Sequence, residues 1–227
     1  MNQISRRAQN RKDREGRILA AALTVFSRTG YSGATMAAVA AAAGLSKPTL
    51  YQYFTSKESL FAAMMLGKRD RMLDVLDHPL PGGMAQDLHD FAWTYADTVM
   101  RPDLLSLARL IIGEVQRFPE IGQAYQAAGP DHVLRGIMRY LEAQRDAGRL
   151  VFVDAELAAQ DFWGLILSAP RTQALYLPDA TFGRAGLARY VDNGLRVFLK
   201  AYSTRPEADL AELDALIRAN PSTAGDP

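Results

Sequence analysis

The stretch Thr35-Met36-Ala37-Ala38-Val39-Ala40-Ala41-Ala42-Ala43-Gly44-Leu45-Ser46-Lys47-Pro48-Thr49-Leu50-Tyr51-Gln52-Tyr53-Phe54-Thr55-Ser56-Lys57-Glu58-Ser59-Leu60 contains three helix starts and one tight turn. Thr35 is a natural N-cap for a short helix running to about Ala43, with Met36, Val39 and Ala40 on the inward face. Gly44 makes the turn. Ser46 caps a second short helix over Lys47 to about Tyr53. Pro48 falls in its first turn, where a missing N–H has no helical partner to lose. Leu45, Leu50 and Phe54 point inward. Thr55-Ser56-Lys57-Glu58 has the spacing of a capping box and opens a longer helix predicted to reach Leu76.

Working outward, a helix is expected before this block, ending near Arg28. Its inward face carries Ile18, Leu19, Ala22, Leu23 and Phe26, and Thr29-Gly30-Tyr31-Ser32-Gly33 stops it. Residues 1–10 read as a flexible basic arm. Downstream, the cluster of residues 77–83 breaks the chain. Helices are then predicted at 84–100, 103–117, 119–128, 131–147, 154–169, 180–202 and 207–219, with Pro102, Pro119, Gly129-Pro130, Gly148, Pro170, Pro178 and Pro206 at their limits. The tail after 219 is expected to fray. No alternating strand pattern is present, so the fold class is all-α. The expected organisation is a helix-turn-helix domain over 11–61, a connector helix over 56–76, and a larger helical domain over 77–227.

Charge is divided along the chain. Residues 1–70 hold 11 Lys and Arg against 4 Asp and Glu, while the rest hold 15 against 21. A basic first third on an otherwise acidic chain points that third at a polyanion. The chain has no cysteine. Disulfides, thiolate metal sites and cysteine nucleophiles are therefore excluded, and a reducing cytoplasm is the expected location. No apolar run approaches the ~18 residues of a membrane span. An export signal is not expected either, because Arg11, Lys12, Asp13, Arg14 and Glu15 separate Arg6-Arg7 from the periodic run Ile18–Phe26.

Two short helices joined by a tight turn and braced by a longer one match the unit that lays a recognition helix in the major groove. Gln52 can pair with adenine, the Thr49 methyl or Pro48 ring can touch a thymine methyl, and Lys47 can reach guanine or phosphate. Tyr51, Tyr53, Thr35 and Lys57 suit phosphates. Thr35 can equally serve only as a cap, and Tyr51 can be shared between groove and core. The arm, with Arg6, Arg7, Arg11, Lys12, Arg14 and Arg17, either follows the DNA backbone or is a plain tail.

The block from Thr35 to Leu60, with the helix before it, closely resembles the DNA-binding signature of the tetracycline-repressor (TetR) family across about residues 11–61. The turn, Thr49-Leu50-Tyr51, Tyr53-Phe54 and Ser56-Lys57-Glu58 fall in register. The resemblance implies an all-α homodimer that binds double-stranded operator DNA, with a variable C-terminal domain that senses a small-molecule effector. It places Lys47, Thr49, Tyr51 and Gln52 near bases or flanking phosphates, and Thr35, Tyr53 and Lys57 on phosphates; Ser46 and Pro48 complete the expected DNA-binding set. Repression relieved by the effector is the usual family mode; activation is the alternative.

The same resemblance implies that the last two long helices, 154–169 and 180–202, pair across a two-fold axis. Leu165, Tyr190, Gly194, Leu195 and Phe198 are the expected interface residues. Leu105 to Ile121 resembles the C-terminal domain of the AefR-like subgroup. Phe91, Trp93, Tyr95, Phe162, Trp163 and Tyr176 can line an apolar cavity. Arg109, Glu114 and Arg117 can fix a polar ligand group there or form an internal ion pair. The three histidines, His78, His89 and His132, lack metal-ligand spacing, so neither metal nor cofactor is expected. No phosphate loop, nucleophile elbow or paired-carboxylate motif is present, and catalysis is not expected.

Overall fold

The computed structural model describes residues 3–66 and 83–219. Among them are eleven helices and no strand: α1 (Gln3–Gly33), α2 (Met36–Ala42), α3 (Lys47–Tyr51), α4 (Lys57–Leu66), α5 (Met84–Val99), α6 (Pro102–Glu114), α7 (Pro119–Ala128), α8 (Pro130–Asp146), α9 (Ala155–Tyr176), α10 (Arg184–Tyr202) and α11 (Pro206–Ala219). Pro102, Pro119, Pro130 and Pro206 each open a helix. The fixed φ of proline suits the first helical position, whose N–H has no partner. None of the described helices is long and apolar enough to cross a membrane.

Three elements depart from expectation. The backbone is already helical at Gln3, so most of the predicted arm is an extension of α1. Helix α1 is interrupted where the glycine-containing stretch predicts, at Gly30 (φ 72°, ψ 171°). Helix α9 does not stop at Pro170 but runs through it to Tyr176. Pro170 and Ala174 stay on the buried face with Ile166 and Leu167, and that burial outweighs the lost backbone bond. The connector expected over 56–76 is described only to Leu66. Its remainder, the breaker residues 77–82 with His78, and the tail from 220 lie outside the described residues.

The chain divides into two compact units, Met1–Arg69 with Ser106–Pro130, and Asp70–Leu105 with Asp131–Pro227. Residues 106–130 fall in the same compact unit as the helix-turn-helix. The physical cause is aromatic. Phe26, Tyr31 and Phe61 pack ring against ring at centroid distances of 5.4–5.7 Å, and Phe118, between α6 and α7, closes on Tyr31 at 5.2 Å. Helix α7 also lies along α4.

The core of the second unit is built from α5, α8, α9, α10 and α11, with Leu88, Phe91, Ile137, Phe162, Val191 and Phe198 fully buried. Tyr140 donates to the buried Asp87 carboxylate at 2.8 Å, and burial, reinforced by Asp87, pushes its hydroxyl pKa up. The loop after α8 is tied to the end of α10: the Val151 N–H donates to Tyr202 O at 2.9 Å and the Thr204 N–H to Arg149 O at 3.0 Å. Helices α9 and α10 approach closely because position 194 has no side chain. A Cβ there would lie 2.5 Å from the Leu165 carbonyl oxygen.

Replacing Gly194 with alanine should therefore destabilise the chain by about 1–3 kcal/mol, the scale of forced overpacking. A Cβ at Gly164, on the same pair of helices, meets nothing within 4 Å. Gly164→Ala should stabilise by about 0.5–1 kcal/mol through helix propensity alone. Urea midpoints of the two variants should move in opposite directions at unchanged slope.

Candidate DNA interface

The turn is built from backbone bonds that the sequence specifies. Thr35 Oγ1 accepts from the Ala38 N–H at 3.1 Å and caps α2. At the other end Gly44 adopts φ +67°. The Leu45 N–H reaches Ala40 O at 2.9 Å and the Gly44 N–H reaches Ala41 O at 3.1 Å. This paired closure of a helix end needs the left-handed conformation at the residue after the cap, which glycine adopts at little cost. Ser46 Oγ then caps α3 through the Thr49 N–H at 3.3 Å and shares a 2.8 Å hydrogen bond with the Thr49 hydroxyl.

Leu50 and Phe54 are buried and anchor α3. Lys47, Pro48, Tyr51 and Gln52 are exposed, whereas Thr49 and Tyr53 are half-buried. Tyr51, which the sequence leaves between groove and core, is 42% exposed and so belongs to the outer surface. Engagement of the Thr49 hydroxyl by Ser46 favours the methyl as this residue's contribution to readout. Beside α3, Gln52 and Tyr53 line a hollow of about 320 Å³ together with Asn10, Arg11 and Arg14 of α1. The Arg11 guanidinium lies 5.8 Å from the Tyr53 ring centroid. Arg11 and Arg14 thus stand beside the recognition helix on a rigid element, which a reading of residues 1–10 as a free arm does not reveal. Asn10 carried no sequence signal.

Lys57 is half-buried, and within the chain its side chain folds back onto α1. Nζ donates to Tyr31 O at 2.8 Å and sits 4.2 Å from the Tyr31 ring centroid. A cation is disfavoured at a helix N-terminus. The carbonyl and the π-face offset this, each attracting positive charge. The capping box at this helix start is also displaced. Ser56 Oγ accepts from the Ser59 N–H at 3.1 Å and Ser59 Oγ accepts from the Ser56 N–H at 3.0 Å. Glu58 instead accepts from the Tyr31 hydroxyl at 3.2 Å.

The residues proposed for an effector pocket separate. Phe91 and Phe162 are fully buried core, 5.8 Å apart. Trp93 is buried beneath the Arg184 guanidinium at 4.1 Å. Tyr176 is 74% exposed at the end of α9. Tyr95 and Trp163, edge to face at 5.8 Å, line a cavity of about 350 Å³ within the second unit. Arg109, Glu114 and Arg117 belong to the first unit. There Glu114 Oε1 lies 3.4 Å from the Ser32 nitrogen, Arg109 donates to Ser106 Oγ at 3.4 Å, and Arg117 lies 5.4 Å from the Phe118 ring centroid.

The proposed interface residues separate likewise. Leu195 and Phe198 are fully buried in the protomer's own core and Gly194 is spent on the α9–α10 approach. Leu165 and Tyr190 keep exposed surface, and Leu157 and Val197 also stand exposed on these helices.

The Glu58 carboxyl is held below its ordinary 4.5, first by its own backbone N–H and then by the Ser56 hydroxyl, against an opposing effect of burial. In the window between the folded value and 4.5 the unfolded chain binds more protons, so stability there rises with pH. The contribution is complete above that window and is lost as pH falls through the folded value. Glu58→Gln should make the protein less stable at pH 7 and flatten the loss of stability below pH 4.5, as read from urea unfolding across pH.

Comparison with known proteins agrees with this architecture. Residues 18–64 match the family model of bacterial regulatory proteins of the tetR family, and residues 86–204 match that of the C-terminal domain of AefR-like transcriptional repressors. A TetR-family transcriptional regulator from Mesorhizobium loti has TM-score 0.74 at 29% identity, covering 85% of this chain and 98% of that one. The Flavonoid-responsive Regulator FrrA has TM-score 0.66 at 31% identity, covering 86% and 99%. The HTH-type transcriptional activator FasR of Mycolicibacterium smegmatis is 43% identical over 63 residues, 28% of this chain and 29% of FasR. The chain spans 29–34% of the length of the curated relatives that match it through this segment. The chain belongs to the TetR family of bacterial regulatory proteins, with a C-terminal domain of the AefR-like kind.

Proposed function

We propose that this protein is a homodimeric transcriptional regulator that binds a pseudo-palindromic operator in the cytoplasm and is released by a small molecule held in its second unit. The observation that carries the reading is the division of α3. Leu50 and Phe54 are buried, while Lys47, Pro48, Tyr51 and Gln52 face outward beside Arg11 and Arg14. That is the separation of anchor from reader that a recognition helix needs. Gln52 is the candidate base reader and Lys47 reaches guanine or phosphate. The hollow formed by Arg11, Arg14 and Tyr53 suits the phosphate backbone.

The exposed apolar residues Leu157, Leu165 and Val197 of α9 and α10 support a second copy as their cover, since a two-fold axis buries the same patch on both chains. Repression is favoured by the repressor description of the C-terminal match. Activation is the second reading, because the activator FasR matches through the N-terminal segment.

Three variants test the scheme in anisotropy titrations on DNA flanking the chain's own gene. Gln52→Ala should relax discrimination at one base position by about 1–3 kcal/mol. Arg11→Ala with Arg14→Ala should weaken binding to all sequences and reduce the slope of log K against log salt by about two. Lys57→Ala should weaken binding through loss of fold stability and leave that slope unchanged. Equal binding of wild type and the first two variants across salt concentrations would remove this surface from consideration. For the dimer, Val197→Glu should convert the protein towards monomer in light scattering.

A further inference from the structure

We propose that the groove between α9 and α5 is a binding site for a small planar aromatic acid, held by its carboxylate on Arg171 and by its ring on Trp163. This rests on the regulator reading above and gives its effector a chemical class.

The wall is laid out in two strips. Trp163 and Leu167 follow one another at helical spacing and lead to Arg171, so the same face of α9 is apolar at one end and cationic at the other. Tyr95, from α5, stands edge-on to Trp163 and completes a flat aromatic slot. Along the outer lip run Gln160, Ser168 and Thr172, neutral groups that can donate or accept. Among the described lining residues Arg171 carries the one formal charge and no carboxylate appears. Arg171 is engaged within the chain. A guanidinium has five N–H donors in a planar fork that suits a carboxylate, so an arginine engaged within its own chain can also hold a ligand oxygen.

Gly164 supplies a second, independent observation. It sits in the interior of a 22-residue helix, on the lip of the groove, and a Cβ there would meet nothing within 4 Å. Glycine at such a position costs helix stability. Among the described residues nothing fills the space beside it, in contrast to Gly194, where backbone does. The missing side chain keeps the mouth of the groove open above Trp163. The cavity, about 350 Å³, lies at the small end of the range of about 300–1,000 Å³ typical of ligand pockets. One or two fused rings with one acidic group fit that size, and a cationic ligand is disfavoured by Arg171.

The test uses three probes of one shape on the full-length chain: 2-naphthoate, the neutral 2-naphthamide and the cationic 2-naphthylmethylammonium, titrated by calorimetry. Wild type should bind the acid at least about tenfold more tightly than the amide, the scale of one bidentate charge-assisted contact, and the cation weakest. Arg171→Gln should erase the preference for acid while leaving amide binding unchanged, which a collapsed fold would not do. Gly164→Leu should block acid and amide alike, and Gly164→Ala, expected to fold at least as well as wild type, should weaken both less.

Equal affinity for acid and amide in wild type overturns the proposal. So does acid binding that survives in Arg171→Gln. Failure of all three probes also overturns it, and loss of self-association in Gly164→Leu would then assign the groove to a second copy of the chain. These outcomes are read without DNA. A protein that shifts operator DNA but treats acid and amide alike keeps the regulator reading and loses the acid site; one that shows the acid preference but binds no DNA does the reverse.

Discussion

The burial of one ring, Tyr31, is the constraint on which the first unit depends. A five-residue helix such as α3 has no stability of its own, because nucleating a helix costs more than so few backbone bonds return. It holds its place only if the elements around it are fixed. Tyr31 fixes them from several directions at once. Its ring packs on Phe26 of α1, Phe61 of α4 and Phe118 between α6 and α7, its carbonyl receives Lys57, and its hydroxyl reaches Glu58. Burial pushes the pKa of that hydroxyl up, so it remains a donor throughout the physiological range.

The second unit solves a different problem. Its helices are long, and what limits their packing is the bulk of the backbone itself. Where α9 and α10 touch, a residue without a side chain lets carbonyl and Cα meet, and the apolar residues that flank the contact turn inward. The consequence is a division of surfaces on the same two helices. One side of each is consumed by the protomer, and the other keeps Leu157, Leu165 and Val197 in the open.

Those two arrangements explain what was legible in the sequence. The caps Thr35 and Ser46, the turn at Gly44 and the inward set Leu50 and Phe54 obey local rules with residue-scale spacing, and they stand where those rules place them. Lys57 is different, because a lysine reads as a surface cation until a carbonyl and a ring from 26 residues away are known to sit beneath it. Arg109, Glu114 and Arg117 read as ligand groups on an apolar helix, since nothing in their spacing says which unit that helix joins. The extension of α9 past Pro170 was hidden by a rule that holds for isolated helices and yields to burial. A glycine such as Gly194 permits close approach without stating whether its neighbour belongs to the same chain.

Pro170 carries a consequence for motion. Lacking an N–H, it leaves the Ile166 carbonyl without the donor that an unbroken α-helix would supply. Helix α9 therefore lacks one backbone bond before its last turns, and it ends in exposed Tyr176 and Leu177. A helix end so placed opens locally at lower free energy than the core. The groove on this helix crosses Pro170, with Gln160 and Trp163 before it and Arg171 and Thr172 beyond it. Any molecule lodged there would act as a splint, tying the last turns of α9 to the body of the helix.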